Sequence, residues 1–211
     1  MGWCPPDHHP SEGSYSLDRG RSQAGSPAGG RNEALELARL RSVAAAAFLA
    51  LAVACLATFG LSVEALVDVL ACGVLVAVTV TDLERRIVPN IINVPALAIA
   101  LVVQTVRDPS VEWILASVAA GGFYFVAALV YPAGIGMGDV KLAAFLGAWL
   151  GTPVIVAIFC ASLLAMVPAL VIVARQGKKA RKVGIPYAPF LAGGGVIALF
   201  FGDAIMDWWL G

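Results

Sequence analysis

Charge is scarce in this sequence: only 13% of its 211 residues are charged, the 14 basic and 14 acidic side chains cancel, and 60% of residues are hydrophobic. A balanced, sparse charge excludes a basic nucleic-acid footprint, so no nucleic-acid partner is expected. Cysteine is also rare. Cys4 lies in a polar tail while Cys55, Cys72 and Cys160 fall in apolar runs, and no CxxC pair occurs. That excludes a disulfide framework and a zinc site. The two histidines, His8 and His9, stand together in CPPDHHP with no second ligand cluster to complete a metal site, so no metal and no cofactor are expected.

What is abundant is long apolar sequence. A mean hydropathy of +0.86 is too high for a water-soluble globule of this length and reads as an all-α, polytopic membrane helical bundle. Residues 1–40 form a separate region. Met1 to Gly30 is rich in Gly, Ser, Pro and Arg without apolar periodicity, a composition expected to stay disordered in the cytoplasm rather than to act as a secretory signal. RNEALELARLR, from Arg31 to Arg41, reads as a short interfacial helix. Residues 41–211 are expected to form the membrane-embedded domain.

Seven apolar stretches follow: Val43 to Leu61, Val63 to Thr81, Ile91 to Val106, Glu112 to Tyr131, Asp139 to Leu150, Pro153 to Ala174, and Tyr187 to Met206. Most approach the roughly 20 residues that cross a bilayer. The fifth is short, and charge placement decides how it is read. With the N-terminus inside and all seven segments crossing, Arg107 alone of the 14 basic residues falls outside, as the positive-inside rule requires. Seven spans with a cytoplasmic N-terminus are therefore expected.

Within that frame the segment GIGMGDVKL, from Gly134 to Leu142, delivers Asp139 and Lys141 to the start of an apolar segment. A carboxylate beside hydrocarbon is costly and marks a functional site with a partner to be found. The partner is Asp82. Two crossings separate it from Asp139, so the chain returns to the side it left and both aspartates lie at the cytoplasmic edge. Gly136 and Gly138 let another chain approach the loop backbone closely, a substrate peptide among the candidates. Pro89 disfavours helix at Val88 and separates the first loop, DLERRIVPN, from the next span. Thr81 and Asn90, flanking that loop, either orient the site or cap helices.

Two carboxylates at one site share a proton, one acting as base on a water and the other polarising a carbonyl. That is aspartic-protease chemistry. Asp139 opens a helix and Asp82 closes one, so the helix dipoles favour Asp139 as the base and Asp82 as its protonated partner. Glu64, Asp68 and Glu112 lie near external helix ends and read as solvated charges, as do Asp203 and Asp207. Gly147 with Gly151, and Gly193 to Gly195, read as close packing between helices of the bundle. The basic cluster from Arg175 to Lys182 reads as a topology determinant touching anionic lipid. Intramembrane aspartates also suit an ion- or proton-coupled transporter, but both lie at one membrane edge and no internal repeat is present.

At these residues the chain resembles the type IV prepilin peptidases, membrane aspartic proteases of the GxGD type. GMGDVKLAAFLGAWLG, from Gly136 to Gly151, is similar to the family's GxGD motif with Asp139 as catalytic aspartate. TDLERRIVPN, from Thr81 to Asn90, resembles the segment carrying the other, Asp82, followed by a Pro89–Asn90 pair. IPYAPFLAGGG, from Ile185 to Gly195, is similar to a C-terminal IPFGPFLA stretch. The resemblance implies removal of a basic leader from prepilins or pseudopilins of type IV pilus or type II secretion systems, at the cytoplasmic face of a bacterial inner membrane. Longer members carry paired CxxC motifs in an inserted domain and methylate the new N-terminus. Lacking those cysteines, this chain is expected to act as a peptidase without N-methyltransferase activity. A presenilin-like protease cutting within the membrane shares the same GxGD chemistry.

Overall fold

A computed structural model describes residues 27–85, 88–130, 135–176 and 186–211. Residues 1–26 of the tail, for which disorder is expected, together with Gly134, Arg86 and the basic residues Lys178 to Lys182, lie outside the described residues. Seven helices are present among those described: α1 (Pro27–Phe59), α2 (Val63–Arg85), α3 (Asn90–Arg107), α4 (Glu112–Val130), α5 (Met137–Leu150), α6 (Val154–Gln176) and α7 (Ala188–Leu210). The chain divides into two units, residues 1–38 and 39–211. The described part of the first is the opening of α1. The expected interfacial helix at 31–41 is thus no separate element: its Leu and Ala residues favour helix as strongly as the apolar run behind them, and nothing in the sequence breaks the helix between.

In the second unit the pattern is inverted relative to a soluble protein. Leu49, Leu70, Ile99, Val102, Leu115, Phe159 and Val167 are all exposed, while the core is built from Leu75, Val78, Leu142, Leu146 and Leu191 together with many alanines. Large side chains outside and small ones inside are what a lipid-facing bundle requires, because helices in hydrocarbon associate through close packing. Six helices are long and apolar enough to cross a membrane; α5 is not among them. The protein is a multi-pass membrane protein.

The exception, α5, has 14 residues, about 21 Å of helix at about 1.5 Å per residue, short of a hydrocarbon core of about 30 Å. It sits among α3, α4, α6 and α7, with nine of its residues buried. Small residues allow this. A Cβ on Gly147 would come within 2.4 Å of the Ala116 carbonyl oxygen, and one on Gly121 within 2.9 Å of Ala144, so α4 and α5 touch nearly backbone to backbone. Ser117 Oγ donates across that seam to the Ala144 carbonyl at 2.9 Å. Gly194 and Gly195 play the same part for α7, against Ala157 of α6 and Leu146 of α5.

The far end of α5 is tied down by polar groups. Trp149 Nε1 donates to Asp68 of α2 at 2.9 Å, and Gln104 of α3 donates to the Trp149 carbonyl at 2.7 Å. Gly151 ends the helix at φ 67°, a conformation that a Cβ disfavours. Thr152 then donates from its N–H and its hydroxyl to Glu112 at 3.0 and 2.8 Å, while Glu64 pairs with Arg107. The expectation that Glu64, Asp68 and Glu112 are merely solvated is corrected: Glu64 and Asp68 meet donors on other helices, and Glu112 meets Thr152 in the turn after α5. Gly151 both terminates α5 and packs closely on α4, where a Cβ would come within 3.0 Å of the Trp113 ring.

Candidate active site

Asp82 lies in the last turn of α2 and Asp139 in the first turn of α5, and both are buried, at 6% and 8% exposure. The expected loop opening at Asp82 begins later, because α2 runs on to Arg85. The ends of α2 and α4 and the starts of α3 and α5 meet here, for Lys141 Nζ of α5 donates to Asn90 Oδ1 of α3 at 2.8 Å. Asp82 and Asp139 are electrostatic neighbours within this cluster. The inferred return of the chain across two spans is therefore met by the geometry.

Each motif residue has a local reason for its place. Asp139 is the third residue of α5 and accepts the Gly136 N–H through Oδ2 at 3.2 Å, while its own N–H donates to the Gly136 carbonyl at 3.0 Å. One carboxylate oxygen is thus held against a helix N-terminus, where negative charge is favoured. Gly138 faces Val88: a Cβ there would lie 2.6 Å from Val88 Cβ. The chain that approaches this glycine is the protein's own first loop, which corrects the expectation of a substrate peptide at that point. Pro89, at φ −71° and ψ 121°, caps α3, its carbonyl accepting from the Ile92 and Asn93 N–H groups at 3.1 and 3.2 Å.

Asn90 is therefore the first helical residue, and its side chain holds Lys141 rather than capping. Thr81 does neither of the things considered for it, since its hydroxyl donates back to the Ala77 and Val78 carbonyls at 3.0 and 2.9 Å. Glu84, two residues beyond Asp82, pairs with Arg41 of α1 at 3.2 Å. Among the described residues no group of three or more His, Cys, Asp or Glu stands together as a metal site.

Two residues near the aspartates were not singled out from the sequence. The hydroxyls of Tyr124 in α4 and Tyr187 ahead of α7 lie 2.9 Å apart, and Tyr124 is 3% exposed and within electrostatic reach of Asp139. The signal was there: a phenol in the otherwise apolar GGFYFV run, and another inside IPYAPF. An apolar groove of about 550 Å³ lined by Ser110, Leu115, Ala119 and Ile155 lies at the opposite end of α4, away from the aspartates.

The site thus holds two buried aspartates, one in the last turn of α2 and one behind a Gly-x-Gly-Asp turn. Residues 69–172 match the model of the type IV leader peptidase family. The chain belongs to the type IV leader peptidase family. The matched residues include Asp82, Pro89, Asn90, Gly136, Gly138, Asp139 and Lys141, and stop short of Tyr187. Among curated proteins it is similar to the prepilin leader peptidase/N-methyltransferase of Bacillus subtilis, at 33% identity over 72% of this chain and 62% of the relative. It is similar to that of Legionella pneumophila at 31% over 72% and 56%, and to that of Burkholderia pseudomallei at 30% over 90% and 61%. The chain thus spans about three fifths of the length of these leader peptidase relatives. No solved structure matches.

Proposed function

We propose that this chain is a membrane aspartic endopeptidase that removes the basic leader from prepilins or pseudopilins, with Asp82 and Asp139 as the catalytic pair. The single observation that carries the reading is that these two aspartates, 57 positions apart in sequence, are both buried at helix ends and within electrostatic reach of each other. In the proposed reaction Asp139 takes a proton from a water, whose oxygen bonds to the scissile carbonyl carbon, while Asp82 gives its proton to the carbonyl oxygen. Collapse of the tetrahedral intermediate breaks the C–N bond and returns a proton to the leaving nitrogen. Asp139 suits the role of base because it sits at a helix N-terminus, and Asp82 that of acid because it sits at a helix C-terminus.

The supporting residues hold the pair in place: Gly136 fixes one oxygen of Asp139, Gly138 admits Val88, and Pro89 and Asn90 start α3 so that Asn90 meets Lys141. The positive-inside pattern supports assigning this end of the bundle to the cytoplasmic face, and the family supports a bacterial inner membrane, where a basic leader would meet the site. Residues 1–40 are a cytoplasmic tail and 41–211 the peptidase domain. Aspartates at helix ends rather than in mid-span weigh against a transporter. The relatives' names also include an N-methyltransferase; the four cysteines of this sequence form no CxxC pair, and we assign it the peptidase step alone. Incubating a prepilin with membranes containing the protein and reading both the loss of leader mass and any methyl gain on the product tests both parts.

A further inference from the structure

Asn93 is completely buried, and neither its amide nitrogen nor its carbonyl oxygen has a hydrogen-bond partner among the described residues. Gln104, the other carboxamide on the same face of α3, is fully engaged with Trp149 and Arg107. A carboxamide left without partners inside a membrane domain is strongly disfavoured, and a sequence free to choose would place an apolar residue there. A buried amide without partners here points to a partner that arrives during function.

The position of Asn93 says where that partner binds. α3 and α5 run in the same direction, since Asn90 meets Lys141 at one end and Gln104 meets Trp149 at the other. Counting 11 residues back from Gln104 reaches Asn93, and 11 back from Trp149 reaches Gly138, each about 16 Å along its axis at about 1.5 Å per residue. The Asn90–Lys141 contact, counted the same way, reaches Ala144, so Asn93 lies beside the first two turns of α5, which bear Asp139. Asn93, Ala100 and Gln104 are the buried residues of α3, so the amide is on the stripe that packs inward, and α5 is the helix that α3 packs against most. Two residues beyond Asn93, Pro95 sits inside α3. Having no N–H, it gives nothing to the Ile91 carbonyl and weakens the first turn of the helix.

We propose that Asn93 is a substrate-contact residue of the cleavage site, its carboxamide pairing with a main-chain peptide group of the substrate beside the scissile bond. A carboxamide offers one donor edge and one acceptor, the same pair that an extended peptide presents. The Pro95 break lets residues 90–94 move aside from α5 as the peptide enters, which exposes the amide and the Ile91 carbonyl together. This rests on the peptidase reading above, and deepens it by naming what holds the peptide at the aspartates.

The test is the kinetics of prepilin cleavage by wild type, Asn93→Leu and Asn93→Ala in proteoliposomes, with thermal unfolding of each variant. Asn93→Leu keeps the volume and removes the unpartnered amide, so it unfolds no lower than wild type. The expected result is a KM at least tenfold higher with kcat within about twofold, the pattern of a lost substrate contact. Wild-type kinetics in both variants overturns the proposal, as does a fall in kcat at unchanged KM, the pattern of a group felt only in the transition state rather than one that holds the bound peptide. If the wild-type protein cleaves no prepilin that a control peptidase cleaves, the peptidase reading fails and takes this proposal with it.

Discussion

Gly138 and Val88 stand so close that a Cβ on residue 138 would lie 2.6 Å from Val88 Cβ and 3.0 Å from its Cγ2. The contact joins the loop before α3 to the first turn of α5, and so sets the separation between the segments bearing Asp82 and Asp139. Gly138→Ala is expected to lower cleavage about tenfold or more while the protein still inserts, because a small displacement of reacting groups costs rate steeply. Val88→Ala keeps the offending Cβ and does not restore activity in the double variant. Val88→Gly removes it and does, at least in part. Initial rates of the four proteins in matched membranes check this.

The anchoring of α5 makes a second prediction, about stability. Trp149→Phe removes the donor to Asp68 and leaves a half-buried carboxylate short of a partner, which is expected to cost about 1–3 kcal/mol. Asp68→Asn, which keeps an acceptor, costs less. Thermal unfolding in detergent distinguishes them, and because the bond lies at the end of α5 remote from Asp139, cleavage at low temperature falls less than stability does.

How much of this was legible in the sequence divides along a physical line. Hydropathy runs give the helices within a few residues, apart from the start of α1, and the parity of two crossings brings Asp82 and Asp139 to one end, because both depend only on order along the chain. The partners of Glu64, Asp68 and Glu112 were not legible. Each is met by a residue distant in sequence, Arg107 and Trp149 on other helices and Thr152 in the turn after α5, and such pairing depends on rotation and depth that a hydropathy profile does not carry. Gly138 was recognised as a place of close approach, but whether substrate or Val88 fills it is a question of tertiary packing. The continuity of α1 through residues 31–41 was missed because polar residues on a helix extending from a membrane look, by composition, like a separate element.

The tyrosine pair makes a third prediction. Tyr124→Phe or Tyr187→Phe leaves the other hydroxyl without its 2.9 Å partner and is expected to lower stability by about 1 kcal/mol, whereas the double variant recovers much of the loss. Unfolding temperatures of the two single variants and the double variant give the coupling directly. Additive losses would mean that the hydroxyls do not act as a pair.

The pH dependence follows from a shared proton. The rate of cleavage is expected to rise and then fall with pH, the acid limb reporting protonation of the base and the alkaline limb loss of the proton that polarises the carbonyl. The two limbs belong to the pair rather than to either aspartate. A profile of kcat/KM over pH 4 to about 9 checks it, and a rate without an alkaline limb would remove the acid from the mechanism.

The central claim is that Asp82 and Asp139 together cut the leader, and the most direct measurement is the mass of a candidate prepilin after incubation with membranes holding wild type, Asp82→Asn or Asp139→Asn. The account predicts that wild type shortens the substrate by its leader and that both variants, inserted at equal level, leave the mass unchanged. Cleavage surviving in either variant would contradict it.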